Sequence, residues 1–205
     1  MKRNREKTAE RFIDAVHGIL KEEGYEALGV NAVAERAGAN KVLLYRYFGS
    51  FEGLMEEYVQ RMDPFPGLIE KIEAQLEERG NPSLEEVCKV IFSSLEESIF
   101  DNPSFAEMLR WEIVASTPMT RRIAESREEN GVRLTNYLKE RFEWDRTKDI
   151  EAVLAILTGG LFYLWLRSST AEHYNNVPIG DDSGRKRLLE AARDIVKTIF
   201  TEKNN

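Results

Sequence analysis

The side chains in this chain best placed to do chemistry are donors suited to phosphates and base edges. Lys41, Tyr45, Arg46 and Tyr47 lie close together in sequence, and ammonium, guanidinium and phenol groups at that density can reach backbone oxygens of a nucleic acid. Upstream, Lys2, Arg3, Arg5, Lys7 and Arg11 form a basic arm opposed only by Glu6 and Glu10. Groups able to carry catalysis are sparse and scattered. His17 and His173 are the two histidines, and Cys88, the one cysteine, has no CxxC partner. HExxH, GxSxG and P-loop patterns do not occur. Glu22-Glu23, Glu77-Glu78 and Glu128-Glu129 fall as solvated helical charge rather than as acid–base pairs. The expectation is a protein that is not an enzyme and needs no metal and no cofactor.

Composition sets the frame for those donors. The 205 residues are 42% hydrophobic and 32% charged, which is ordinary for globular chains, and allow one or two domains. Net charge is −7 and the pI is near 5.1, a poor overall balance for nucleic acid. The excess is unevenly placed, however. Residues 1–61 hold ten Lys/Arg and ten Asp/Glu, so all the surplus negative charge lies beyond Arg61. A neutral head with a local basic face can grip phosphates even on an acidic body. One cysteine excludes an intrachain disulfide and suits a reducing compartment. The charged N-terminus lacks the apolar core of a signal peptide. The longest uncharged run, Ala152 to Leu166, has 15 residues, short of the roughly 18 a spanning helix wants. No membrane association is expected, and a cytoplasmic location is.

Hydrophobic spacing is helical throughout, and neither alternating strand patterns nor two-residue hairpin turns stand out. Over Lys7 to Glu23, Phe12, Val16, Ile19 and Leu20 share a face, and Gly24 suits the helix end. Val30 to Ala37 follows, then a Gly38-Ala39-Asn40 break, with Asn40 as N-cap of a helix over Lys41 to Phe48. Ser50 suits the cap of a fourth helix. Pro64, Pro66 and Gly67 mark the expected boundary between a domain over residues 1–62 and one over 63–205. Longer helices are expected over 68–79, 83–100, 103–116, 118–142, 147–169 and 183–200, with residues 171–182 as a mobile loop. The fold class is all-α, with a three-helix N-terminal unit and a larger helical body, about nine helices.

Two short helices joined by a Gly-containing turn after a longer amphipathic helix describe a helix-turn-helix. In that unit the second helix enters the major groove and its first residues reach base edges. Leu44 and Phe48, four apart, would then face the three-helix core and leave Tyr45, Arg46 and Tyr47 outside or at its edge.

The stretch Ile13 to Leu54 closely resembles the N-terminal domain of the tetracycline-repressor (TetR) family. The resemblance is carried by Gly24-Tyr25, Val33-Ala34, Ala37-Gly38, Leu44-Tyr45-x-x-Phe48, and Ser50 with Leu54. It covers about a quarter of the chain, and several residues match at fixed spacing. It implies a dimeric, sequence-specific transcriptional regulator, usually a repressor, released from a palindromic operator when the body binds a small molecule. Carried over by position, it implies base-edge roles for Asn31, Lys41, Val42 and Leu43, with Asn40 beside them. Phosphate roles fall to Tyr45 and Tyr47, then to Arg46 and Lys7. The alternatives are core-edge packing for the tyrosines and plain solvation for the lysines. The sequence departs from the family pattern in places. Leu28-Gly29 stands where a hydroxyl residue often caps the second helix. Val42 and Leu43 are apolar, and Phe51 replaces a basic residue. The alternative function is a ligand- or protein-binding module on the same scaffold, with weakened or lost DNA binding.

In the body, aromatic and sulfur side chains concentrate. Phe92, Leu95, Ile99, Phe105, Met108 and Trp111 are expected to line an effector pocket together with Glu112, Tyr137, Phe162 and Trp165, or else to be packed core. Phe142 belongs to the same aromatic set. Glu112 shares a face with Phe105, Met108 and Leu109, so it either pairs with an Arg such as Arg133 or Arg167 or meets a cationic ligand. The effector is expected to be apolar or amphipathic. Gly159 and Gly160 interrupt an apolar helix at about 1 kcal/mol each, which close approach of another helix would offset. By the family's architecture the last two long helices form a four-helix interface in a homodimer. That nominates Leu157, Gly159, Gly160, Leu161 and Leu164, with Leu188, Ala192 and Ile195 from the final helix. A two-fold dimer sets its reading heads about one DNA turn, or a multiple, apart.

Overall fold

A computed structural model describes residues 2–100, 102–141 and 148–200. Phe142 and the helix start expected at Thr147 lie outside the described residues, as do the side chains of Lys2, Arg3 and Arg5. Among the described residues there are ten α-helices: α1 Lys2–Glu22, α2 Val30–Arg36, α3 Lys41–Phe48, α4 Phe51–Met62, α5 Phe65–Glu78, α6 Leu84–Leu95, α7 Pro103–Val114, α8 Pro118–Arg141, α9 Ile150–Arg167 and α10 Asp182–Phe200. A 3₁₀ turn at Tyr25–Ala27 and a π turn at Glu96–Phe100 complete the helical elements.

The chain divides into two compact units. The first takes Met1–Pro64 and Asn102–Arg127, and therefore extends beyond the boundary at residue 62 read from the sequence. The reason is apolar: Met108 and Trp111 of α7 and Met119 and Ile123 of α8 join one cluster with Phe12, Val16 and Ile19 of α1. Leu44 of α3 and Leu54 of α4 are fully buried in that cluster. Burial of such a side chain contributes about 1.5–3 kcal/mol, so the cluster holds the short helices α2 and α3, which are too brief to persist alone.

The second unit comprises Phe65–Asp101 and Glu128–Asn205. Leu68, Ile69, Ile72 and Leu76 form the buried stripe of α5. Ser83 and Glu86 form a reciprocal capping box at the start of α6. Pro66 and Gly67 lie inside α5 rather than before it, since proline in a first helical turn lacks only an N–H that has no partner there. The segment expected as a mobile loop contains an ordered reversal. Asn175 and Asn176 both take positive φ, and Tyr174 and Val177 exchange backbone hydrogen bonds of 2.9 Å. Asparagine tolerates that backbone because its short polar side chain eases the left-handed conformation. Tyr163 meets Tyr174 edge-on at 5.9 Å.

Helix α9 alters one expectation. Its 18 residues have a mean hydropathy of 1.5, so by length and composition it is long and apolar enough to cross a membrane. The uncharged run understates this because Glu151 and Arg167 sit in the terminal turns. Only Ile150 and Leu161 of the helix are buried, while Ile156 is 74% exposed. Among the described residues, nothing lies within 4 Å of a side chain added at Gly159 or Gly160. Ile195 of α10 is exposed as well, and Leu157, Leu164 and Leu188 are half-buried. Two of the nominated interface residues are less accessible. Leu161 and Ala192 are buried within this chain, Ala192 on a helix packed against α6.

Candidate nucleic-acid interface

The head is built by local chemistry. Asn40 Oδ1 accepts a 2.9 Å hydrogen bond from the Val42 N–H and caps α3. Gly38, at φ 56°, makes the turn between α2 and α3, and its carbonyl accepts from Arg11 Nη2 at 2.8 Å. Arg11 is thereby drawn out of the expected basic arm and holds the turn instead. Ser50 Oγ accepts from the Gly53 N–H at 3.0 Å and starts α4. A side chain at Gly53 would collide with the Phe48 carbonyl oxygen, so α3 and α4 meet at a point where only glycine fits.

These elements orient the candidate residues. Leu44 is completely buried, and Phe48 meets Phe12 edge-on at 6.1 Å. The opposite face of α3 presents Lys41, Val42, Tyr45 and Arg46 to solvent, with Val42 64% and Tyr45 47% exposed. Asn31 on α2 and Lys7 on α1 are exposed too. Leu43 and Tyr47 are half-buried against the core cluster, so the exposed face is narrower than the sequence reading. Gly29 caps α2 without a side-chain bond. Phe51 also packs against the core, which explains an aromatic where a basic side chain would stay solvated.

Other basic residues of the head are engaged internally. Arg36 pairs with Glu22 at 2.6 Å and Glu23 at 3.1 Å, and that guanidinium holds the Glu22 carboxyl below its ordinary range. Arg61 bridges Glu10 and Glu57, each at 2.7 Å. Among the described residues Lys41 and Arg46 form no such ion pair, which leaves the α3 face net positive.

Behind the head, α1, α4 and α7 share a polar contact. Tyr58 Oη lies 3.4 Å from His17 Nδ1, and Ser104 Oγ lies 3.3 Å from His17 Nε2. Burial pushes the Tyr58 phenol up to about 12. A second cluster joins Arg127 to Glu112, with Asp63 Oδ2 3.8 Å from Arg127 Nε and the Phe105 ring 4.6 Å from the guanidinium carbon. Glu112 thus pairs with neither expected arginine. Arg133 is six residues on, about 9 Å further along α8, and binds Glu73 through Nε at 2.7 Å. Burial raises the Glu112 carboxyl above its ordinary range, with Arg127 opposing that shift. Arg127 was absent from the sequence reading, since hydrophobic spacing does not set the register of α8 on α7.

The ten nominated pocket residues are divided between the two units. Phe105, Met108 and Trp111 are buried in the first unit beside Glu112. Phe92, Leu95 and Ile99 are buried in the second. There Phe162 meets Phe65 at 6.4 Å, and Trp165 meets Phe100 at 5.6 Å. Trp165 also lines a crevice of about 80 Å³ with Phe100, Ile179 and Arg185. Tyr137 lies in an open groove of about 490 Å³ between Glu73, Arg133 and Glu140. Among the described residues its buried hydroxyl has no hydrogen-bond partner, and Arg141 lies over its ring at 4.6 Å.

Comparison with known proteins agrees with this geometry. Residues 12–58 match the bacterial regulatory proteins of the tetR family. An uncharacterized HTH-type transcriptional regulator of Mycobacterium tuberculosis is 37% identical over 59 residues, a match covering 29% of this chain and only 29% of that relative. The fatty acid degradation regulator FadR of Bacillus halodurans superposes with a TM-score of 0.65 at 16% identity, over 91% of this chain and 96% of its own. Thermus thermophilus FadR, a TetR-family repressor solved in complex with lauroyl-CoA, superposes with a TM-score of 0.59 at 18% identity, over 96% and 98%. At these identities the structural likeness speaks for the fold.

Proposed function

We propose, from the match of residues 12–58 to the tetR family of bacterial regulatory proteins, that the chain is a TetR-family regulator: a dimeric, sequence-specific DNA-binding repressor released by a small apolar or amphipathic effector. It is a transcriptional regulator and not an enzyme. The observation that carries the DNA reading is the solvent-facing side of α3, with Lys41, Val42, Tyr45 and Arg46 outside and Leu44 fully buried beneath. A helix anchored on one side and free on the other fits the major groove, where exposed donors meet phosphates and base edges. Lys7 and Asn31 extend the contact from α1 and α2.

The effector reading draws support from the lauroyl-CoA of the Thermus relative. Homodimerisation draws it from the uncovered apolar surface of α9 and the exposed Ile195 on α10. A paired operator would be palindromic, matching the two-fold axis. A cytoplasmic location follows from the role. The test is selection from random duplex DNA with the full-length protein at two salt concentrations. Enrichment of a palindromic site is expected, with affinity falling as salt rises. Absence of any sequence preference at low salt overturns the regulator reading in favour of a ligand- or protein-binding module. The apolar Val42 and the hydroxyl-free cap at Gly29 give that second reading its footing.

A further inference from the structure

Val42 is a large apolar side chain in the first turn of α3, and 64% of it is exposed. It contributes nothing to the buried cluster beneath the helix, which Leu44 fills from the opposite face. What sets Val42 apart is its place, on the solvent-facing side of the first turn of α3 beside Lys41, Tyr45 and Arg46, where a major groove would meet the helix. We infer that Val42 reads the 5-methyl group of a thymine in each operator half-site. This rests on the DNA reading of the head and adds the base that it selects.

Two neighbours sharpen the assignment. Asn40 would be the natural reader of adenine, a task that needs its amide oxygen and nitrogen together. Its Oδ1 already accepts from the Val42 N–H at 2.9 Å, so a paired contact to adenine would have to share that oxygen with the helix cap. Leu43 is half-buried against the core and turned from the exposed face. Of the residues opening the helix, Lys41 and Val42 are left to meet base edges. In the major groove only thymine presents an apolar group; adenine, guanine and cytosine present donors or acceptors that valine would leave unpaired.

The experiment uses the full-length protein and the duplex recovered by selection. Each thymine of a half-site is replaced in turn by deoxyuridine, which keeps every hydrogen-bonding group and removes only the methyl. One position per half-site should weaken binding about fourfold, and roughly fifteenfold when both half-sites are changed, the fold-changes expected for losing one buried methyl each. Val42→Ser should bind thymine and deoxyuridine duplexes equally, with unchanged circular dichroism because the side chain supports no core. Indifference to every thymine replacement overturns the assignment while leaving DNA binding intact. Methyl sensitivity that persists undiminished in Val42→Ser overturns it too. Failure to enrich any duplex overturns the DNA reading and this inference together.

Discussion

Tyr58 shows how one buried group ties the head to pH. It has no exposed surface, and losing its proton would place a phenolate beside His17 within the buried cluster, so burial lifts its pKa from 10 to about 12. The folded protein keeps the proton where the unfolded chain has begun to release it. The resulting stability is fully present below pH 10 and is lost as pH rises through about 12. Urea unfolding of the full chain at intervals from pH 8 upward should therefore show a decline that Tyr58→Phe lessens. An equal decline in that variant would assign the alkaline loss to other groups. The Arg127, Glu112 and Asp63 cluster follows related logic. Two carboxylates face one buried guanidinium, so burial outweighs attraction at Glu112 and its carboxyl is raised rather than lowered.

The contact of α3 with α4 is where an element boundary controls the candidate interface. Helix propensity favours alanine over glycine by about 1 kcal/mol, so Gly53→Ala would stabilise an isolated α4. In this fold the added methyl meets the Phe48 carbonyl oxygen, a backbone atom that cannot turn aside. The expected outcome is the opposite sign, a loss of about 1–3 kcal/mol, as for overpacking. Thermal unfolding checks it, and a raised Tm would show that α3 and α4 are looser than described. If the α3 face reads DNA, affinity should fall alongside stability. The serine cap at Ser50 and the asparagine cap at Asn40 were both readable from residue type. The glycine contact was not, because it depends on where a neighbouring helix ends.

Across the chain, the exposed surface of α9 is the main unbalanced feature. Ile156 is 74% and Tyr163 52% exposed, with Gly159 and Gly160 open between them. A second copy pressed against that stripe would remove the apolar area from water and supply the close approach that paired glycines permit. Light scattering at micromolar concentration should then report twice the 23.6 kDa chain mass. Ile156→Glu should raise the dimer dissociation constant at least about tenfold, since it would seal an unpaired carboxylate into the contact. A monomer in the unaltered protein, or one that co-sediments with phospholipid vesicles through α9, would refute the dimer.

Much of this molecule follows from local rules that operate within a few residues. Apolar spacing of 3.6, cap side chains and prolines located most of the helices, and Leu44 four residues before Phe48 already separated the inner face of α3 from the outer one. The same rules could not pair side chains distant in the chain. Arg11 on the Gly38 carbonyl, Arg127 with Glu112, and Ala192 buried on a helix against α6 all depend on the rotation and offset of one helix on another. Those are set by how knobs and gaps on two surfaces interlock. Periodicity tells which stripe of a helix is apolar; only packing decides which neighbour receives it.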